Sequence, residues 1–342
     1  MFSDRINLYK SLSSVRQRPL ISYVTSIRPN LNGSMSQDAL PSFLDHVDSI
    51  VNESDLYNKG KAIDVLIISN GGDPVVSWRI ISLLREKFKN ITVIVPYTAF
   101  SAATLLALGA DEIIMHPYSN LGPLDPQITI SNSDGSSKSM SYEDIIKYFE
   151  FIKDVGITDQ ELLERSLSRL SQEIPPTAIG FSKRSSQLGL TMGAKLLSTH
   201  MSDENKARGI SETLNTKFYH HGYPLSRSEA KDIGLNIAAN NNEIEILIWN
   251  IYKDFEREMK FGYPFNPKKE IFEKITQQAN LEKNKLYSIE EKSKIASIES
   301  LCIESWVEIN SVMLYTILDD GSMQQNLQIQ QSNWITEETK NA

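Results

Sequence analysis

The serine at position 101 is the first candidate for chemistry in this sequence. Ser101 follows an apolar run at residues 91–96 that predicts a strand, and it begins a helix-forming run at residues 101–109. Its neighbours Ala102 and Ala103 leave the space around the hydroxyl open, and backbone N–H groups at a helix start stabilise negative charge. A serine nucleophile would gain this help if a base lay within hydrogen-bond reach. The alternative is that Ser101 only caps the helix.

A pair of glycines, Gly71-Gly72, follows a second apolar strand pattern at residues 64–69. No third glycine completes a dinucleotide-binding G-x-G-x-x-G, and Gly60-Lys61 lacks the flanking residues of a P-loop, so no nucleotide site is predicted. Adjacent glycines let the backbone present its N–H groups to a substrate carbonyl, which would make an oxyanion hole. A tight strand-to-helix turn explains the same residues. Both interpretations are open at this point.

Five histidines are the candidates for a general base, at positions 46, 116, 200, 220 and 221. His46 lies on an amphipathic helix and His200 near a helix end, so both are predicted to be structural. His116 lies close to the predicted site and could hold the reacting side chains in place. In an extended segment adjacent side chains point to opposite faces, so only one member of the 220–221 pair can meet the serine. No H-E-x-x-H or Cys/His spacing indicates zinc, and Cys302 is alone, so no metal site is predicted.

The elements that must position these residues alternate between strand and helix in the first part of the chain. Strand patterns at 20–26, 64–69, 91–96 and 112–115 are separated by amphipathic helical patterns. This alternation predicts an α/β fold with right-handed crossovers. From residue 141 the sequence becomes helical, and after about residue 260 it predicts a charged helical stretch and a β-hairpin that turns at Asp320-Gly321.

Composition excludes several function classes. The chain has 342 residues, 40% of them hydrophobic, with 35 Lys and Arg against 43 Asp and Glu, a net charge of −8. An acidic chain without a clustered basic face is not typical of a nucleic-acid-binding protein. No apolar run reaches the roughly 18 residues of a membrane span, and the N-terminal residues lack the apolar core of a secretory signal. We therefore expect a soluble, cytoplasmic protein.

Taken together, several short motifs resemble the Clp/crotonase superfamily, and more closely the serine dehydrogenase proteinase family. That family is related to the Clp protease catalytic subunit and to signal peptide peptidase A. The resemblance covers about residues 17–255. It rests on the segments SNGGD (69–73), SAATLLALGA (101–110), DEIIMHP (111–117), NLGPLDPQ (120–127) and FYHHGYPLS (218–226).

The resemblance implies a serine peptidase that needs no cofactor, acts on peptide or protein substrates, forms a homo-oligomer and has a Clp/crotonase-like fold of repeated β-β-α units. It implies Ser101 as nucleophile, Asp125 as the residue that orients the base, and a histidine base. Of the two adjacent histidines we prefer His221, because it directly precedes the Gly222-Tyr223-Pro224 part of the family motif. The matching oxyanion hole consists of the backbone N–H groups of Gly71, Gly72 and Ala102.

Two other bases remain open, His220 and Lys138. Signal peptide peptidases of this superfamily use a Ser–Lys dyad, and Lys138 follows Ser101 in the chain. A catalytic lysine must be desolvated to be neutral near pH 7. Lys138 lies in a Ser/Asp/Gly-rich stretch that predicts a polar loop, where water would keep the ammonium charged.

The expected organisation is an N-terminal segment (1–16), a Clp/crotonase-like protease domain (17–255) and a C-terminal extension of unknown role (256–342). Two other functions fit the same motifs. A crotonase-type acyl-CoA hydratase or isomerase would use the same backbone oxyanion hole without a hydroxyl at position 101. A non-catalytic oligomeric scaffold would use Ser101 only as a helix cap.

Overall fold

The computed structural model describes residues 2–53, 55–125, 127–131, 137–216, 218, 222–276 and 281–338. The strands are β1 (Leu20–Thr25), β2 (Ile27–Arg28), β3 (Leu31–Asn32), β4 (Ala62–Ile68), β5 (Asn90–Val95), β6 (Thr98–Ala99), β7 (Glu112–Met115), β8 (Asn120–Leu121), β9 (Gln127–Ser131), β10 (Ser137–Ser141), β11 (Leu286–Glu299), β12 (Ile303–Ile317), β13 (Met323–Gln331) and β14 (Ile335–Glu338). The helices are α1 (Phe2–Arg16), α2 (Ala39–Glu53), α3 (Asp55–Gly60), α4 (Pro74–Lys87), α5 (Ala102–Leu108), α6 (Tyr142–Asp154), α7 (Gln160–Glu173), α8 (Pro176–Leu197), α9 (Glu204–Thr216), α10 (Arg227–Asp232), α11 (Asn242–Glu258) and α12 (Pro267–Thr276).

The central sheet contains eight strands, in the order β13-β12-β11-β1-β4-β5-β7, with β14 also paired to β12. Strands β1, β4, β5 and β7 are parallel, and β11 pairs antiparallel with β1. Successive residues of β4 point to opposite faces. Val65 and Ile67 pack in a core with α2, α4 and α5, while Leu66 and Ile68 pack in a core with α1 and α11. The predicted α/β fold is confirmed. Its parallel strands have continuous apolar sequences because helices cover both faces of the sheet.

A second, two-stranded layer lies at the carboxyl ends of the parallel strands. β6 follows β5 and pairs in parallel with β8, which follows β7. The Ser69 N–H donates to the Thr98 carbonyl (3.1 Å), and the Phe100 N–H donates to the Ser69 carbonyl (3.0 Å). This β-β-α arrangement brings the residues after β4 beside the start of α5, where the candidate serine lies.

Residues beyond 256 add strands to the same sheet. β11 pairs with β1 from Ser22 and Glu299 to Thr25 and Ala296, and β12 and β13 continue outward as an antiparallel hairpin. The turn of that hairpin contains Gly321 at φ 81°. Among the described residues, none of the helices combines the length and apolar composition needed to cross a bilayer.

A buried ion cluster joins α1, α11 and β11. The Arg5 guanidinium, fully buried, donates to both carboxylate oxygens of Glu299 (2.9 and 2.5 Å) and also contacts Asp254 (2.5 Å) and Glu258 (2.6 Å). Its guanidinium carbon lies 3.9 Å from the ring centroid of Phe255. Both side chains of the Arg5–Glu299 ion pair are fully buried, so Arg5 is the cation that compensates the Glu299 carboxylate.

We predict that Arg5→Met lowers the free energy of unfolding by about 3–5 kcal/mol, because it leaves a buried carboxylate without its cation. The measurement is urea-induced unfolding followed by circular dichroism. The matched control is Arg165→Met, which breaks an exposed i,i+4 pair with Glu161 and should cost about 0.5 kcal/mol or less. Equal losses in the two variants would contradict a stabilising role for the buried cluster.

Candidate active site

Ser101 has a strained backbone. It occupies the position before α5 with φ 51° and ψ −116°, a conformation that residues other than glycine rarely adopt. Its side chain makes no capping hydrogen bond, and no described residue hydrogen-bonds its hydroxyl. The Ser101 side chain therefore does not cap α5. Strain of this kind is typical of functional sites, where the surrounding packing holds a reactive side chain in one position.

Gly71 packs directly against this serine. It has φ 101°, and a methyl group on its Cα would lie 2.8 Å from Ser101 Cβ and 3.0 Å from the Ala102 nitrogen. Any other residue would therefore displace Ser101. The Gly71 N–H donates to Ser69 Oγ (2.9 Å), so that N–H already has an acceptor.

Gly72 is held by the segment around Met35. The Met35 N–H donates to the Gly71 carbonyl (2.9 Å), and the Met35 carbonyl accepts from the Asp73 N–H (2.8 Å). A side chain on Gly72 would collide with the Met35 carbonyl oxygen. Within the described part of the chain, the backbone N–H groups of Gly72 and Ala102 have no acceptor. Two hydrogen-bond donors are thus available beside Ser101.

A cleft of about 440 Å³ lies beside Ser101. One wall is the glycine loop with Asp73 and the start of α4, and the other wall is α8. The floor is apolar and includes Leu105 of α5 and Leu124. Gly189 of α8 allows this helix to approach, because a methyl group there would lie 2.8 Å from the Leu124 carbonyl oxygen.

Asp125 follows the cleft residue Leu124 and is only 6% exposed. The Leu124 N–H donates to the Leu214 carbonyl of α9 (2.9 Å). Burial raises the pKa of the nearby Glu143 carboxyl, and the charge of Asp125 adds to this effect. Asp125 is therefore a buried acid at the cleft end of the segment that follows β8.

The candidate bases His220 and His221 lie outside the described residues, and so does the side chain of Lys138. The backbone of Lys138 belongs to β10, opposite Ile130 of β9, rather than to the predicted polar loop. The loop prediction was wrong here because the alternating Ser-Lys-Ser-Met pattern pairs with a partner strand that sequence periodicity alone did not reveal.

The described residues on both sides of the two histidines are anchored near Asp125. Before them, α9 is bonded to Leu124 through Leu214, and after them Leu225 forms a two-way backbone bridge with Leu121 (3.0 and 2.9 Å). The rings of Phe218 and Tyr223 stack with centroids 4.8 Å apart.

The other three histidines have structural partners. His46 is buried between Ser300 Oγ (3.0 Å) and Ser305 Oγ (3.2 Å), and burial lowers its pKa to about 3. His200 Nε2 donates to the Leu108 carbonyl (2.9 Å). His116 stacks on Trp249 with ring centroids 4.6 Å apart, and burial lowers its pKa.

Three features of the cleft were not predicted from the sequence: the contacts of Met35, the acceptor function of Ser69 and the α8 wall. Ser69 lies within the SNGGD motif, so its contact with Gly71 had a local signal. Met35 and α8 had none, because their contacts depend on how distant segments pack.

The strain at Ser101 predicts that Ser101→Gly is more stable than Ser101→Ala, by about 1 kcal/mol. Glycine relieves backbone strain of about 1–3 kcal/mol and loses part of this gain, about 0.5–1 kcal/mol, to the greater freedom of the unfolded chain. Both variants lack the hydroxyl, so alanine is the matched control for that loss. Chemical denaturation of the two variants measures the difference, and a less stable glycine variant would show that φ 51° is not a strained position.

One protein-family model matches part of the chain. Residues 43–165 match the family model of ClpP-like SDH-type serine proteinases. Two uncharacterised proteins of Methanocaldococcus jannaschii are also similar. One is 30% identical over 178 residues, 52% of this chain and 52% of that protein. The other is 27% identical over 195 residues, 57% of this chain and 60% of that protein. The chain thus spans about half the length of these relatives.

Solved structures similar to part of this chain include a mutant of the 1510-N membrane-bound stomatin-specific protease, with a TM-score of 0.40, 16% identity and coverage of 66% of this chain and 83% of that chain. The ClpP protease catalytic domain from Plasmodium falciparum has a TM-score of 0.33, 13% identity and coverage of 68% and 91%. The matched family region contains Ser101, Asp125 and both glycines. Residues 43–165 of this chain are thus similar to the ClpP-like, SDH-type serine proteinases.

Proposed function

We propose that this protein is a serine peptidase with Ser101 as its nucleophile. The observation that carries this proposal is the strained backbone of Ser101, which lies on a cleft. Among the described residues, its hydroxyl has no hydrogen-bond partner and two N–H groups beside it have no acceptor. A scaffold protein would have no use for strain at this position, and a crotonase-type acyl-CoA enzyme would need the N–H groups but not the hydroxyl. The family match at residues 43–165 supports the same choice.

In the proposed reaction, Ser101 Oγ attacks the carbonyl carbon of a peptide bond and gives its proton to the imidazole of His221. The negative charge that develops on the carbonyl oxygen is stabilised by the N–H groups of Gly72 and Ala102. The C–N bond then breaks as the imidazolium returns the proton to the leaving amine. Water, activated by the same histidine, hydrolyses the acyl-enzyme. No cofactor takes part.

The three predicted oxyanion-hole residues have different functions in this proposal. The Gly71 N–H donates to Ser69. We therefore propose that Gly71 stabilises the loop and allows Ser101 to approach closely. Gly72 and Ala102 supply the donors.

The base assignment rests on the anchored neighbours of His221. Leu214 and Leu225 flank the pair of histidines and bond to Leu124 and Leu121, on the segment that leads to Asp125. We propose that the Asp125 carboxylate accepts a hydrogen bond from the imidazole, sets its tautomer and stabilises the imidazolium. His220 and Lys138 remain the alternative bases.

We predict that a fluorophosphonate probe labels the wild-type protein covalently and that Ser101→Ala abolishes the labelling, because the probe reacts with an activated serine hydroxyl. Intact-protein mass spectrometry measures the adduct. Ser185→Ala is the matched control, since Ser185 lines the same cleft and its loss should leave labelling intact. Absence of labelling from pH 6 to 9 would overturn the peptidase proposal.

The same probe identifies the base. His221→Ala should reduce the labelling rate by at least about 100-fold, in line with the loss of a general base, while His220→Ala should retain most of it. Lys138→Ala should also retain labelling. If Lys138→Ala abolishes labelling and His221→Ala does not, the protein uses a Ser–Lys dyad.

We further propose that the protein is a homo-oligomer that contacts its copies through α7. This helix is amphipathic, yet it has no buried residue, and its Leu162 and Leu167 are 44% and 47% exposed. Phe151 of α6 and Val155, the residue that follows α6, are also exposed. An apolar stripe of this size on a helix is typical of a surface that packs against another protein.

Leu167→Glu should lower the molar mass measured by light scattering after size-exclusion chromatography, because it places a charge in the interface. The control Ser168→Glu adds the same charge to the polar face of α7 and should leave the mass unchanged. A wild-type mass equal to that of one chain would contradict the oligomer.

A further inference from the structure

The described residues that line the cleft beside Ser101 provide an apolar surface and one cation. Leu105, Leu124 and Leu188 contribute the apolar surface. Arg184 also lines the cleft, and it lies on the same face of α8 as Leu188, because residues four apart are neighbours on a helix.

Among the described residues, no acidic side chain pairs with Arg184. No carboxylate of the described residues lies within ion-pair distance of its guanidinium. Its described contact is with the ring of Phe181, whose centroid lies 5.5 Å from the guanidinium carbon. Phe181 is itself half-exposed in the cleft lining. The ring leaves the guanidinium donors available, because a cation–π contact uses none of the N–H groups.

Asp73, the acidic residue of the cleft lining, already accepts hydrogen bonds from the protein. Asp73 Oδ1 accepts from the Val75 N–H (2.9 Å), which caps α4, and Asp73 Oδ2 accepts from Gln37 Nε2 (2.8 Å). Asp73 therefore holds the start of α4 and does not pair with Arg184. Within the described part of the chain, Arg184 thus has no acidic partner, whereas the Asp73 carboxylate accepts hydrogen bonds from the protein.

The size of the cleft allows more than one group of a substrate to enter. About 440 Å³ is within the range of sites that enclose a small molecule, and exceeds what a single side chain fills. A large apolar side chain can occupy the leucine-lined floor while a neighbouring group reaches the α8 wall. A carboxylate is the group that matches a planar guanidinium best.

We infer that this cleft selects peptides in which a large apolar residue lies beside a carboxylate, and that Arg184 is the specificity-determining residue that binds this carboxylate. The inference rests on the proposed peptidase function of Ser101. The carboxylate can belong to an Asp or Glu side chain or to the C-terminus of the peptide, since both present the same chemistry to Arg184.

The experiment measures kcat/KM for internally quenched peptides that contain a single Leu and carry Glu, Gln or Lys at each position flanking it. At one of these positions, wild-type protein should cleave the Glu peptide about five-fold faster than the Lys peptide, the effect of a partly exposed ion pair. Arg184→Gln should remove this preference, and Arg184→Glu should reverse it. Raising the NaCl concentration should bring the wild-type ratio towards one, because salt screens the pair.

The matched control is Lys183→Glu, which makes a comparable charge change at the exposed neighbouring residue of α8, outside the cleft lining. This variant should keep the wild-type preference. A second peptide set, with a free or an amidated C-terminus close to the Leu, distinguishes the sources of the carboxylate. If only the free C-terminus raises kcat/KM, Arg184 binds a terminal carboxylate. If only Glu raises kcat/KM, Arg184 binds an acidic side chain.

Fluorophosphonate labelling of Ser101 in every variant separates the two proposals. If Ser101 is labelled and peptides are cleaved with the same Glu-to-Lys ratio in wild type and Arg184→Glu, the specificity inference is overturned and the peptidase function stands. If Ser101 is not labelled and no peptide is cleaved, the peptidase function fails and the inference fails with it.

Discussion

Two backbone hydrogen bonds between Ser69 and the β6 segment determine the arrangement of the candidate site. The Ser69 N–H and carbonyl pair with Thr98 and Phe100, at the place where β4 and β5 have ended. This pairing fixes the glycine loop against the residue after Phe100, which is Ser101. The Ser69 side chain continues the same constraint, because its Oγ accepts the Gly71 N–H and also bonds with Thr25 Oγ1 at 2.7 Å.

The strain at Ser101 persists because the elements on both sides are fully packed. All seven residues of α5 are buried. Thr104 Oγ1 donates to the Ala99 carbonyl (2.7 Å) and accepts from the Gly122 N–H (3.0 Å), which links α5 to β6 and to the segment after β8. Relaxing Ser101 to a common backbone conformation would move α5 out of this packing. The fold therefore holds an unfavourable conformation at one residue with favourable contacts at its neighbours.

The region beyond residue 256 contributes to the same structure from the other side of β1. β11 brings Glu299 to Arg5, so the first helix and a strand near the end of the chain share one buried charge cluster. His46 of α2 likewise lies between two serines of the C-terminal region. These contacts support β1, which is the neighbour of β4 and hence of the strand that ends at Ser69.

Several local features of this protein could be predicted from short stretches of sequence. Apolar runs such as residues 64–69 and 91–96 predicted parallel strands, and the adjacent glycines and Ser101 were predicted as site residues. Those signals are readable because each depends on a few neighbouring residues.

The contacts between distant segments depend on tertiary packing. Ser69 Oγ accepts the Gly71 N–H, and the Met35 backbone hydrogen-bonds with Gly71 and Asp73 on both sides of Gly72. Helix α8 contributes Arg184 to the cleft, and β11 lies antiparallel beside β1. Each of these depends on a main-chain pairing or a side-chain contact set by how whole elements pack. Periodicity cannot specify such contacts, because the same residue types would pack equally well against other partners.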